Sequence, residues 1–395
     1  MNNFMFYSPT RFIFGKGEEM NVGNYISQYG ARKVMVLHYG TDFEFETSLI
    51  NKIFASLDQA GIPYVDFKGI KPNPTIETGD RGVAVVKEEH VDFLLAVGGG
   101  SVIDTAKYIG VAALTEENVW DEYFLKKTSV GATLPVGALP TIAGTGSEGS
   151  FSCVMTKGVL KRSLNDDKIR PVFALMNPEL SYTLPAFQTA CGAVDIMAHV
   201  HERYFTRGED NYLTDNLGES IFRTVIKYLP IALRKPENYN ARAQLLWASV
   251  LAHNDSCGVG RVTEGTVHSI QSEIGGMYDS AHGAGVACVT PGWMKYVYKD
   301  NMDKFIKWAT RVMGVSMDYG DPERTVLEAI DRLELFFLSL GVPTKLRDVP
   351  GIEDLDEEVM ERMAKRVRVV HEDGSIGWVR RLNTEDIVEI FKLAM

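Results

Sequence analysis

Four cysteines in 395 residues, Cys153, Cys191, Cys257 and Cys288, lie far apart and form no CxxC pair. That scarcity speaks against a disulfide framework or a cysteine zinc site and predicts four reduced thiols. Positive charge is also short: 41 Lys and Arg stand against 52 Asp and Glu, a net charge of -11. Nucleic acids and anionic membranes require a positive footprint that this chain lacks. No apolar run approaches the ~18 residues of a membrane span. The start, MNNFMFYSPTRF, has no basic region followed by an apolar core and cleavage site, so a cytoplasmic protein is expected. A common nucleotide signature, the GxxxxGK[ST] P-loop, is missing as well.

What is present fits a soluble globular protein of two or three domains, since 395 residues exceed one ordinary core. The first half alternates strand-like and helix-like stretches. KVMVLHYG (33–40), YVDF (64–67) and DFLLAVGGGS (92–101) read as strands. SLINKIFASLDQAG, TIETGDRGVAVVKEEH and VIDTAKYIGVAAL read as the helices between and after them. This alternation predicts a parallel sheet with helices packed on it. From Ala186 onward helical periodicity dominates, as in QLLWASVLAH and EAIDRLELFFLSLG. With the boundary at the turn NPELSYTLP (177–185), the division is 1–185, a Rossmann-like α/β domain, and 186–395, an all-helical domain.

Gly98-Gly99-Gly100-Ser101 stands where a buried strand meets a helix. Glycines let a ligand approach the backbone, and the free N–H groups of the helix start attract phosphate. A tight turn alone also wants glycine. The second cluster, Thr141-Ile142-Ala143-Gly144-Thr145-Gly146-Ser147-Glu148, follows another apolar strand, LPVGALP, and favours a nucleotide. Both clusters belong at the carboxyl ends of strands, where open parallel sheets bind ligands.

The second half carries a different pattern. Asp195 and His199 are four residues apart on one helix face, with His268 and His282 further on. A single histidine is more often a hydrogen-bonded core residue. Three imidazoles and one carboxylate together suit a divalent ion such as Fe²⁺ or Zn²⁺. His38, His90, His201, His253 and His371 belong to no such set, and His201 falls on another face of the helix bearing His199.

PTRFIFGKG, KPNPT, GGGSVIDTAK, TIAGTGSE, TLP, AVDIMAHVHERYF and AHGAG occur in this order along the chain. With ARAQLLWASVLAHN and PGWMKYVY, they resemble the iron-containing, or group III, alcohol dehydrogenase family, close to its butanol dehydrogenase branch. The resemblance implies the dehydroquinate synthase-like fold of that family, a Rossmann-like domain followed by an all-helical one. It implies hydride transfer between NAD(P) and a small primary alcohol or aldehyde, in a homodimer. It assigns Asp195, His199, His268 and His282 to the metal, Fe²⁺ before Zn²⁺, and Gly98, Gly99, Gly100 and Ser101 to the pyrophosphate. Asn73, Thr141, Thr145, Ser150 and Lys161 match nucleotide-lining positions, Lys161 across a short gap. Asp104 follows as the Asp of GGGSxxD, near the nicotinamide or supporting the loop.

Three departures stand out. Tyr39-Gly40-Thr41-Asp42-Phe43 replaces the glycine-rich turn of the butanol branch, Asn177 replaces an aspartate, and Ser272 replaces a histidine implicated in proton relay. A serine can pass a proton but does not titrate near neutrality. Tyr278 and Cys257 are candidate neighbours for that relay. Asp42, where the adenosine ribose of a Rossmann-like site lies, predicts NAD over NADP, because a carboxylate accepts from ribose hydroxyls and repels a 2′-phosphate. Two rivals remain at this point: a dehydroquinate synthase-like lyase, and an NAD-binding protein without turnover.

Overall fold

In the computed structural model, which describes residues 1–206 and 211–395, the strand period is visible in the core itself. Val34 and Val36 join one buried cluster and Met35 and Leu37 another, as alternate side chains of one strand must. The strands are β1 (Arg11–Phe14), β2 (Val34–Leu37), β3 (Tyr64–Phe67), β4 (Phe93–Gly98), β5 (Val136–Pro140), β6 (Ser152–Lys157), β7 (Leu160–Asn165) and β8 (Phe173–Met176). Six form one parallel sheet in the order β1-β8-β5-β4-β2-β3, while β6 and β7 make a separate antiparallel hairpin.

Helices α1 (Val22–Ser27), α2 (Glu44–Gln59), α3 (Ile76–Glu89) and α4 (Gly100–Ala112) cover both faces of this sheet. Val22, Ile26, Leu49 and Ile53 of α1 and α2 pack on one face. Ile76, Val86, Val102 and Ile109 of α3 and α4 pack on the other. The chain leaves β2 for β3 through α2, then returns through α3 to β4 on the opposite side of β2. The carboxyl ends of β2 and β4 are therefore a topological switch point, where doubly wound sheets open a crevice for ligands.

The remaining helices are α5 (Ala186–Tyr204), α6 (Tyr212–Arg234), α7 (Tyr239–His253), α8 (Thr266–Tyr278), α9 (His282–Val297), α10 (Met302–Arg311), α11 (Pro322–Ser339), α12 (Glu357–Ala364) and α13 (Thr384–Ala394). Among the described residues no strand follows Leu184, in keeping with a helical second half. Two compact units result: Tyr7–Leu184 with Pro236–Val250, and Met1–Phe6 with Pro185–Lys235 and Leu251–Met395. Most of α7 belongs to the sheet unit because Leu246 and Val250 are buried in its core and Trp247 meets Phe12 edge-on at 5.6 Å. β1, the hairpin and β8 were not singled out in the sequence; β1 and the hairpin mix charged residues into their runs, as in RFIF and LKRSLN.

Candidate active site

The switch point is built by two turns that touch. The Tyr39 hydroxyl accepts a hydrogen bond from the Gly99 N–H at 3.1 Å, tying the turn after β2 to the turn after β4. A Cβ on Gly99 would lie 2.8 Å from that hydroxyl oxygen, and one on Gly100 would lie 2.6 Å from Thr145 Cγ2. The glycines are thus required by close packing of the turns as well as by any ligand. Gly99 caps α4 without a side chain to occupy the first-turn N–H groups, the condition for an anion site at a helix start. Ser101 occupies that first turn, half-buried.

The turn bearing Asp42 is held by a neighbour. Glu46, not Asp42, accepts from the Gly40 and Thr41 N–H groups at 2.9 and 2.8 Å, and it also meets His38 Nδ1 at 3.2 Å. Asp42 itself is exposed on the rim of an open hollow of about 690 Å³ that Glu44, Thr47, Ser48 and Lys52 also line. A carboxylate is therefore displayed there rather than consumed by its own turn.

Helix α4 also braces the second cluster. Asp104 accepts from the Ser147 hydroxyl at 2.6 Å and the Val154 N–H at 3.0 Å. Burial raises its carboxyl, with Lys107 acting in the opposite direction. Lys107, fully buried one turn later, donates to the carbonyls of Ser147, Ser150 and Ser152. Thr141 N–H donates to the Gly98 carbonyl at 3.2 Å, and Thr145 Oγ1 accepts from the Ser147 N–H at 3.2 Å. Ser150, fully buried, accepts from the Ser152 N–H. Lys161 on β7 donates to Asn73 Oδ1 at 2.8 Å, and Asn73 adopts a left-handed φ of 51°. The hairpin is so docked on the KPNP turn, with Thr156 N–H donating to the Pro74 carbonyl at 2.8 Å. Asn177 donates to the buried Glu19 carboxylate at 3.0 Å, a bond that an aspartate at this position cannot donate when ionised.

Helix α5 is buried along its length from Thr189 to Tyr204, so its polar side chains need partners or a ligand. Asp195 Oδ1 lies 3.3 Å from His268 Nε2 on α8 and 3.3 Å from His282 Nε2 at the start of α9. Asp195, His268 and His282 each offer one ligand atom, all within 4.8 Å of one another. His199 stands at the edge of this set, its Nδ1 3.9 Å from Asp195 Oδ1. That Nδ1 is buried and has no hydrogen-bond partner among the described residues. One carboxylate with convergent imidazoles is a donor set for a divalent ion of the iron or zinc type, and it fits. Burial alone would raise the Asp195 carboxyl, but the imidazoles of His199, His282 and His268 hold it well below the usual carboxylate range. Burial would lower His268, yet the Glu202 and Asp195 carboxylates push it up to about 10. His199 is driven well below its usual value by burial and by His253.

Three residues in these surroundings carried no role in the sequence. Glu202, on the Asp195 face of α5 and seven residues later, meets His268 Nδ1 at 2.7 Å, and the helical spacing could have flagged it. Lys107 was legible as the residue one turn after Asp104. His253 stacks on His199 with ring centroids 4.0 Å apart, which no local pattern announces. His201 is brought elsewhere, buried against Phe205, Phe222 and Trp308. Ser272 donates its hydroxyl to the His268 carbonyl at 2.8 Å. Tyr278 is half-buried at the end of α8, and the Cys257 thiol faces the Leu251 and Ala252 carbonyls.

Comparison with known proteins agrees with this geometry in both halves. The profile "Iron-containing alcohol dehydrogenase" matches residues 9–178, and the C-terminal profile of the same family matches residues 189–395. An NADH-dependent butanol dehydrogenase A of Clostridium acetobutylicum is 36% identical over 99% of both chains. An NADPH-dependent aldehyde reductase of Escherichia coli is 34% identical over 88% of this chain and 89% of that one. The crystal structure of an NADH-dependent butanol dehydrogenase A from Thermotoga maritima superposes with a TM-score of 0.93 at 34% identity, covering 100% of this chain and 99% of that one. Carboxylate and imidazoles gathered on buried helices, a parallel sheet with a bare glycine turn, and profiles spanning both halves have one account: the chain belongs to the iron-containing alcohol dehydrogenase family.

Proposed function

We propose that the chain interconverts small primary alcohols and aldehydes, using NAD(H) in preference to NADP(H) and a divalent metal, Fe²⁺ before Zn²⁺. The observation that carries this reading is the convergence of Asp195, His268 and His282, three ligand atoms within 4.8 Å. His199 completes the proposed ligand set. When bound, the ion supplies Lewis acidity to an alcohol or carbonyl oxygen and the nicotinamide accepts or returns the hydride. Gly98, Gly99, Gly100 and Ser101 present the uncapped start of α4 to the pyrophosphate. Asp42, Asn73, Asp104, Thr141, Thr145, Ser150 and Lys161 line or support the rest of the nucleotide. Ser272 offers a hydroxyl for proton passage beside His268. The functional division at 185/186, a homodimeric assembly and a cytoplasmic location belong to the same proposal; among the described residues no helix is long and apolar enough to cross a membrane. The family found leaves the lyase alternative without support.

The test is NADH oxidation with a panel of short aldehydes by protein purified without air. Chelation should abolish turnover, and Fe²⁺ or Zn²⁺ should restore it. Asp195→Asn, His268→Ala and His282→Ala should lose both metal and turnover while still binding NADH, and His201→Ala should keep its metal. Stoichiometric metal and normal turnover in His268→Ala or His282→Ala would sink the assignment.

A further inference from the structure

Residue 268 is gripped twice by one side chain. Glu202, only 4% exposed on α5, accepts from the His268 backbone N–H through Oε1 at 2.9 Å and faces the His268 ring Nδ1 through Oε2 at 2.7 Å. His268 is the third residue of α8, so its N–H is one of the first-turn donors that a helix leaves without an internal partner. One carboxylate therefore ends the backbone need of α8 and sets the ring beside it. The chain reinforces the junction, since the Glu264 N–H donates to the Glu202 carbonyl at 2.8 Å.

An ionised carboxylate only accepts, so the nitrogen facing it must carry the proton. With Nδ1–H committed to Glu202, the nitrogen left to exchange its proton for a metal ion is Nε2, the atom 3.3 Å from Asp195 Oδ1. Partners of this kind fix the tautomer and direction of metal-binding imidazoles. Glu202 also shares α5 with Asp195, so the same helix carries a ligand and the group that aims a second ligand from α8.

We propose that Glu202 is the positioning residue of the metal site, holding His268 in the Nδ1–H form with Nε2 aimed at the ion. This deepens the metal reading above and rests on it. A glutamine has one acceptor oxygen for two N–H groups, and its amide would oppose one of them, so Glu202→Gln breaks the arrangement while keeping the shape. Metal-free protein is titrated with Zn²⁺ against a competing chelator, for wild type, Glu202→Gln, Glu202→Asp and His268→Ala. The Zn²⁺ dissociation constant should rise about 10- to 100-fold in Glu202→Gln, by less in Glu202→Asp, and furthest in His268→Ala. NADH binding, read by fluorescence, should stay within about twofold in the Glu202 variants and report an intact fold.

A second readout needs no variant. In ¹⁵N-histidine-labelled, zinc-loaded wild type, His268 should show a proton on Nδ1 and none on Nε2, with the Nδ1 proton shifted downfield by its carboxylate partner. A purely structural Glu202 would leave the variant's tautomer and metal affinity unchanged. Wild-type Zn²⁺ affinity in Glu202→Gln alongside metal loss in His268→Ala overturns the positioning role alone. An Nε2–H tautomer in the zinc-loaded wild type overturns it too, whatever the variants do. Full metal in both variants overturns the metal site itself.

Discussion

The Lys107 ammonium lies 2.7 Å from the Ser147 carbonyl and 2.9 Å from the Ser147 hydroxyl, fastening the helix after the first glycine turn to the loop of the second. It also reaches the carbonyls of Ser150 and Ser152 at 2.9 and 2.7 Å. Burial lowers its pKa to about 8, with Asp104 opposing the fall, so the charge survives at neutral pH. Lys107→Met would leave these oxygens buried without donors, a loss of about 3 kcal/mol. Urea unfolding should show that loss, and NADH affinity should drop roughly tenfold as the loop loosens. Wild-type NADH affinity in a destabilised Lys107→Met would separate the loop from the nucleotide and refute the coupling.

Glu148, shifted by burial in the other direction, predicts a pH dependence. It is buried, its Oε1 has no hydrogen-bond partner among the described residues, and burial raises its carboxyl from 4.5 to about 7. The folded state then binds the proton more tightly than the unfolded chain. Its contribution is fully present below about pH 4.5 and is lost as pH rises through about 7, a loss of at most about 3 kcal/mol. Lys107 titrates differently between the two states only above about pH 8, outside this window. Denaturant unfolding of Glu148→Gln between about pH 5 and pH 7.5 should therefore show a shallower decline than wild type. Equal slopes would count against a buried, proton-binding Glu148.

At Ser272 the hydroxyl already donates to the His268 carbonyl, and it has no charge to gain near neutrality. The pH–rate profile of the wild type should show no limb from this position. Ser272→His should introduce one and raise alcohol oxidation, since a titrating base then stands one helical turn from His268. An unchanged profile in a folded, metal-loaded variant would remove position 272 from proton transfer.

The proposed preference for NADH is tested at Asp42. Its turn is secured by Glu46, so replacing Asp42 need not disturb the backbone. Relatives of this chain include both NADH- and NADPH-dependent enzymes, so family membership does not decide the matter. A displayed carboxylate facing a 2′-phosphate should give NADH roughly a tenfold advantage in kcat/KM after solvent screening. Asp42→Gly should gain on NADPH. Equal use of both cofactors by the wild type would refute this role.

Much of this was legible because its signals are local. The alternation of KVMVLHYG and DFLLAVGGGS with helical stretches anticipates the parallel strands β2 and β4, and the four-residue step from Asp195 to His199 needs only a helix. Asp42, Gly99 and Gly100 could be read at strand ends for the same reason. The hairpin that carries Lys161 escaped notice because its value lies in docking on Asn73, which is 88 residues distant.

By itself the sequence determined the family, the alternation of strands and helices from β2 to β5, and the residue types able to hold a nucleotide and a metal, because periodicity and glycine placement act within a few residues. Tertiary structure alone decided which of those residues meet. Asp195 and His268, 73 residues apart, become neighbours only because buried α5 packs beside α8 and α9. The same packing turns Glu202 into a partner for His268, sets His253 against His199, and sends His201 into an aromatic core. It draws Pro236–Val250 to the sheet unit, because Leu246 and Val250 find their apolar cover there. The reason is energetic: burial is gained by surfaces that close over one another across the whole chain, and a local pattern records that a face is apolar, not which face will cover it.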